Sequence, residues 1–185
     1  MKTLILPNFI LSDVIDDKQF YDKAINLLNE SKNNKKLRVK SNIKGFQTFD
    51  LKDVFCATKI MQWSYDLINK ELSPKSKLKL QLLNYWINEN PKNAYNSLHN
   101  HPNSHISGVY YLEVPKYSGS IYFQDPNLTF NHIYSLFNDT HLQETVNVPS
   151  FKSLFLLFPS NLLHGVSVNT SDFSRISISF NLALI

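Results

Sequence analysis

The sequence predicts a mainly β fold, an antiparallel sandwich or jelly roll carried behind two N-terminal helices, and three observations lead there. After Pro74 the apolar residues leave helical spacing and fall into period-two alternation, which continues to the end of the chain. The strand candidates in that half are separated by turn residues and not by regular helices, which argues against a parallel sheet. The last segment has the cleanest pattern: Ile176, Ile178, Phe180, Leu182 and Leu184 alternate with Arg175, Ser177, Ser179, Asn181 and Ala183. One face is wholly apolar and the other mostly polar, as expected of a strand with one face in a core.

In chain order, residues 3–6 read as a short strand stopped by Pro7. Ser12 and Asp13 offer N-caps for a helix running to Ser31, with Phe20, Ala24, Leu27 and Leu28 on one face. Residues 33–40 form a polar, basic loop. Asp50 or Asp53 opens a second helix in which Ile60, Trp63, Leu67 and Ile68 recur at helical spacing, and Ser73-Pro74 ends it. Strands are then expected over 77–88, 106–114, 120–123, 144–148, 153–158, 165–168 and 174–184, with Pro115, Gly119, Asp125-Pro126, Pro149 and Asn169-Thr170 as turns. Residues 127–143, which hold His132 and His141, show no periodicity and read as a long loop over one end of the barrel.

Composition narrows the function classes. At 185 residues with 43% hydrophobic content, the chain reads as a single domain over 1–185, with 1–74 supplying the N-terminal strand and helices and 75–185 the β core. A net charge of +4 is ordinary solubilising charge, not a nucleic-acid footprint. Cys56 is the only cysteine, so an internal disulfide and a thiolate zinc cluster are excluded. The apolar run before Pro7 is too short for a signal peptide and no segment is long enough to span a bilayer, so a cytoplasmic protein is expected. Four glycines leave no phosphate-cradling loop, and Ser97, Ser104 and Ser160 lack the context of a nucleophile elbow.

What remains is a histidine chemistry. His99 and His101 stand at i and i+2 of an extended segment and so point to one side of the chain. A third histidine, His164, follows the turn at Phe158-Pro159-Ser160, and together the three can hold one face of a metal ion. Further on, Arg175 and Ser177 share the polar face of the last strand. An edge strand with a solvated face would look similar, but arginine followed by small polar groups is also how a barrel interior makes room for a carboxylate.

These residues in this order resemble the Fe(II)/2-oxoglutarate-dependent oxygenases, and among them the small 2OG-Fe(II) oxygenase family of bacteria and their phages. The resemblance rests on His99-Asn100-His101-Pro102-Asn103-Ser104, Ser107-Gly108-Val109-Tyr110-Tyr111, Phe123-Gln124-Asp125-Pro126, Phe158-Pro159-Ser160 and Arg175 through Asn181. Gly45-Phe46-Gln47-Thr48 and Trp86-Ile87-Asn88 fit the same pattern. It implies a double-stranded β-helix, a cupin-like jelly roll closed on one side by the helices. It implies His99, His101 and His164 as ligands of Fe(II), with Arg175 and Ser177 holding the far carboxylate of 2-oxoglutarate. Tyr111, two strands away, would add a phenol hydrogen bond, with Tyr110 as the competing choice.

The activity implied is oxidative decarboxylation of 2-oxoglutarate, with dioxygen, coupled to hydroxylation of an unidentified small molecule, peptide or nucleotide. The wider superfamily carries a carboxylate where His101 stands, so Asp125 and His105 are kept as alternatives for that ligand. The residues alone also admit a cupin-like jelly roll that binds metal through three histidines and has no use for 2-oxoglutarate. Oligomeric state is open, although edge strands allow a homodimer.

Overall fold

The computed structural model describes residues 9–34, 41–73, 79–126 and 145–185. The expected strand at 3–6 and the long loop with His132 and His141 lie outside these residues.

A short strand and two helices dominate the N-terminal part of the described chain. Helix α1 spans Lys18–Asn33 and α2 spans Val54–Leu72, and each is capped by an aspartate. The Asp17 carboxylate accepts the Phe20 N–H at 2.9 Å, and Asp53 accepts the Cys56 N–H at 2.9 Å. Each cap is also paired with a lysine of the other helix, Lys59 with Asp17 at 2.8 Å and Lys23 with Asp53 at 2.9 Å. Ser12 and Asp13 are therefore not the first cap. They belong to strand β1, Leu11–Val14, which pairs with a later strand. The helical face of Phe20, Ala24 and Leu28 starts three residues after Asp17, in phase with the true cap.

Ten further strands follow: β2 Asn42–Ile43, β3 Phe46–Gln47, β4 Leu80–Asn90, β5 Tyr95–His99, β6 Ile106–Glu113, β7 Ile121–Gln124, β8 Thr145–Val148, β9 Leu154–Pro159, β10 His164–Val166 and β11 Arg175–Leu184. They form two antiparallel sheets, a large one in the order β1-β9-β6-β11-β4-β3 and a small one in the order β2-β5-β10-β7-β8. This is the expected jelly roll. Strand β11 is central in the large sheet, between β6 and β4, so its polar face is no solvated edge.

Alternation along β6 and β11 then sorts the side chains into layers. Tyr110, Leu112, Ile178 and Phe180 face the helices and pack with Phe20, Ile60, Trp63 and Leu67. Val109 and Tyr111 face the small sheet and pack with Ile121, Phe123, Leu156 and Phe158. At one end the sheets are tied by buried amides, where Asn90 Nδ2 of β4 donates to Asn42 Oδ1 at 3.0 Å and to Asn96 Oδ1 at 3.3 Å. Among the described residues no helix is long and apolar enough to cross a membrane.

Gly108 shows how tightly the large sheet is filled. It sits opposite Phe180, and a Cβ there would come within 2.2 Å of the Phe180 ring and 2.8 Å of the Leu156 backbone oxygen. Gly108→Ala is expected to destabilise the fold by about 1–3 kcal/mol, because neither the buried ring nor the strand can give way freely. Urea denaturation checks it; an unchanged midpoint would show that the sheet relaxes.

Candidate active site

The small sheet brings the histidines together. His99 at the end of β5 and His164 at the start of β10 are direct cross-strand partners. Between that pair and the Asn96–Val166 pair, β5 carries one more residue than β10. Such a bulge re-aims side chains, and here both Asn96 and His99 line the space between the sheets. His101 lies two residues beyond β5, where its N–H donates to the Ser160 carbonyl at 2.8 Å. The ring centroids are 4.4 Å apart for His99–His164, 5.1 Å for His99–His101 and 5.3 Å for His101–His164. One nitrogen from each falls within 4.8 Å of the others.

Two of the rings are oriented by the same device. His99 Nδ1 lies 2.7 Å from the Ser97 carbonyl oxygen, and His164 Nδ1 lies 2.9 Å from the Leu162 carbonyl oxygen. A carbonyl can only accept, so Nδ1 carries the proton and Nε2 keeps its lone pair for a metal. His164 is 5% exposed and is walled by the rings of Phe123 and Phe158. Burial, and then the charge that His99 would carry, push its pKa down to about 3. Burial lowers that of His99 as well. Both rings are therefore neutral at pH 7, the form a metal requires.

Among the described residues, these three form the cluster of metal-binding side chains; neither His105 nor Asp125 joins it. His105 is exposed and its Nδ1 accepts the Leu184 N–H at 3.1 Å.

The inner face of the large sheet supplies the opposite chemistry. Arg175, Ser177, Ser179 and Asn181 of β11 stand across from Asn90, Asn88, Trp86 and Asn84 of β4. Arg175 is 1% exposed. Its Nη1 donates to the Ser118 carbonyl, and its Nη2 has no partner. Tyr111 is the cross-strand partner of Ser177 on the adjacent strand β6, not two strands away. Its hydroxyl is buried without a hydrogen bond of good geometry, and burial outweighs the opposing influence of Ser150 and Arg175 to raise its pKa, so it remains a phenol. Tyr110 points the other way and donates to the Ile15 carbonyl at 2.8 Å. His99, His101, His164, Arg175, Ser177 and Tyr111 all line one cavity.

Fe(II) and 2-oxoglutarate fit these residues. A guanidinium taken out of water with no counter-ion costs several kcal/mol, and a carboxylate would satisfy it together with the idle Tyr111 hydroxyl. Three imidazoles, of which His99 and His164 are held neutral with Nε2 turned away from their carbonyl partners, suit a divalent first-row metal. Beside His99 and His101 the cavity adjoins a cleft lined by Trp86, Asn84, Gln47, Asn100 and Ser104.

The sequence reading quoted Trp86 and Asn88 but gave no role to the polar run of β4, where Asn84, Trp86, Asn88 and Asn90 recur at every second position. It also missed Ser118, whose carbonyl anchors Arg175 from a turn with no pattern of its own.

A family profile described as Putative 2OG-Fe(II) oxygenase matches residues 84–181. Comparison with curated proteins finds no match. Among solved structures, the chain is similar to HygX from Streptomyces hygroscopicus, crystallised with nickel, 2-oxoglutarate and hygromycin B, at 13% identity and a TM-score of 0.66 over 94% of this chain and 82% of that one. It is similar to the non-heme alpha ketoglutarate dependent carbocyclase SnoK from nogalamycin biosynthesis, at 11% identity and a TM-score of 0.66 over 95% and 78%. A prolyl-4-hydroxylase from Pseudomonas putida gives 12% identity and a TM-score of 0.60 over 93% and 91%. The profile covers more than half of the chain, including all three histidines and Arg175, so this protein belongs to the 2OG-Fe(II) oxygenase family, with Fe(II) as its metal and 2-oxoglutarate and dioxygen as cosubstrates.

Proposed function

We propose that this protein is a hydroxylase in which His99, His101 and His164 hold Fe(II), and Arg175, Ser177 and Tyr111 hold the far carboxylate of 2-oxoglutarate. The observation that carries the reading is the buried Arg175, whose Nη2 has no partner although it lines the same cavity as the three histidines. Bound there, the metal and keto acid supply the oxidising chemistry: dioxygen is consumed, 2-oxoglutarate becomes succinate and carbon dioxide, and one oxygen atom enters a substrate C–H bond.

The protein's own residues bind, orient and shield. Ser97 and Leu162 fix two imidazoles through their Nδ1 protons. Arg175 offers a charged fork and Tyr111 a phenol proton to the carboxylate. Phe123 and Phe158 keep water from His164. Without a carboxylate ligand the iron stays near +2, and the 2-oxoglutarate dianion brings the site close to neutral. The primary substrate would enter by the cleft at Trp86 and Asn84, on the side of His99 and His101.

A metal-binding jelly roll without 2-oxoglutarate would leave Arg175 buried for no return, which weighs against it. The test is anaerobic titration of the apoprotein with Fe(II) and then 2-oxoglutarate, watching for the visible metal-to-ligand charge-transfer band. Tight Fe(II) binding with no band would sink the 2-oxoglutarate reading. For any substrate that accelerates succinate formation, product mass decides the outcome. A gain of one oxygen is hydroxylation, whereas loss of two hydrogens or no change is a different reaction.

A further inference from the structure

A chain of hydroxyls and amides, buried at its centre, runs behind the His101 turn. Ser104 Oγ lies 3.0 Å from the His101 carbonyl oxygen and 2.9 Å from Ser160 Oγ. Ser160 Oγ lies 2.8 Å from Ser107 Oγ, and Ser107 Oγ lies 2.8 Å from Asn181 Oδ1. Asn181 Nδ2 in turn donates to Asn84 Oδ1 at 2.8 Å. Ser160 is 0% and Ser107 1% exposed.

The proton order along this chain follows from its far end. The Asn181 Nδ2 donates to Asn84, which turns Oδ1 toward Ser107; an amide oxygen can only accept, so Ser107 is the donor to it. Ser107 then accepts from Ser160, and Ser160 accepts from Ser104, which shares its single proton with the His101 carbonyl. Ser107 and Ser160 each donate one hydrogen bond and accept one. Such a network resists partial disruption, because losing one member orphans the next in a low-dielectric interior.

The turn it holds bears directly on the histidine cluster. His101 lies beyond the end of β5, at the start of the turn. Its backbone is pinned by the Ser160 carbonyl from one side, and its carbonyl receives the Ser104 N–H at 3.3 Å and shares the Ser104 hydroxyl proton. His99 and His164, by contrast, are set by strand register and by carbonyls two residues earlier.

We propose that Ser104 and Ser160 are positioning residues for His101, holding the Pro102-Asn103 turn so that its imidazole reaches the other two. This rests on the reading of His101 as a metal ligand. Ser107 lines the histidine cavity, and Ser104, Asn84 and Asn181 line the adjoining cleft. The network acts on His101 through the turn.

The experiment is a Co(II) titration of the apoprotein, reading both affinity and the visible ligand-field spectrum. Ser104→Ala is expected to weaken Co(II) binding about tenfold and to change the spectrum, in the range found for outer residues that orient a ligand. Ser104→Thr, which keeps the hydroxyl, restores both. With His101→Ala already present, adding Ser104→Ala changes affinity by less than about twofold, because its target is gone. Ser160→Ala behaves as Ser104→Ala does, and the partly exposed Ser104 gives a second variant should the buried site fail to fold. Equal losses with and without His101, or no loss from either serine, would overturn the proposal. If His101→Ala alone left affinity and spectrum unchanged, the ligand assignment beneath it would fall instead.

Discussion

Arg175→Met is expected to raise the dissociation constant for 2-oxoglutarate by about two orders of magnitude or more, the usual result of truncating one partner of a buried charge pair. Metal affinity should change little, because the substitution lies on the large sheet and the three histidines on or beside the small one. The asymmetry follows from how Arg175 is held. Its Nη1 donates to the Ser118 carbonyl and its Nη2 has no hydrogen-bond partner. Arg175→Lys should recover only part of the loss, since an ammonium offers a point charge and not a fork. The second readout is the apoprotein itself. An unpaired guanidinium that is 1% exposed burdens the ligand-free fold, so the methionine variant should melt no lower than the parent without 2-oxoglutarate. With saturating 2-oxoglutarate the parent should gain stability by ligand linkage and the variant should not. Calorimetry gives the affinities and thermal melts the rest. A variant that keeps its 2-oxoglutarate affinity would place the cosubstrate elsewhere in the barrel.

The parts of this site that were legible in the sequence are those whose signal is local. The alternation of β11 put Arg175 and Ser177 on one face before any partner strand was known. The spacing of His99 and His101 predicted two rings on one side, and their centroids lie 5.1 Å apart. What escaped depends on neighbours. The choice between Tyr110 and Tyr111 has no sequence answer, because both faces of β6 are buried and its residues do not alternate in polarity. The bulge that turns His99 inward exists only in the pairing of β5 with β10. The short strands β2 and β3 have no periodicity to read. The start of α1 was misplaced for a different reason. Ser12, Asp13, Asp16 and Asp17 are all acceptable caps, and only the phase of Phe20, Ala24 and Leu28 separates them. His101 and His105 are separated by a turn that the sequence does not orient: the first lies beside Ser160 and clusters with His99 and His164, and the second faces Leu184.

His164→Ala should weaken Fe(II) binding by at least about a hundredfold, since one of three imidazoles is lost from a site whose binding energy is shared among few ligands. It should also abolish the charge-transfer band. The same substitution tests the electrostatics of the cluster. In the folded apoprotein the His164 pKa is pushed down to about 3, against an ordinary value of 6.5, chiefly because the ring is buried and then because His99 stands beside it. Between those values the unfolded chain binds a proton that the folded chain refuses. The depressed pKa therefore costs the apoprotein nothing above pH 6.5, and stability falls progressively as the pH drops toward 3. In His164→Ala that proton is gone from both states, so the melting temperature should decline less steeply over the same range. Because the alanine also leaves a cavity beside Phe123 and Phe158, the comparison is of slopes and not of absolute melting temperatures. Saturating Fe(II) should flatten the parent's profile from the other direction, because the metal occupies the lone pair that acid would take. Parallel slopes in parent and variant would show that His164 does not carry the acid sensitivity, and the burial argument for its neutral, metal-ready state would fail.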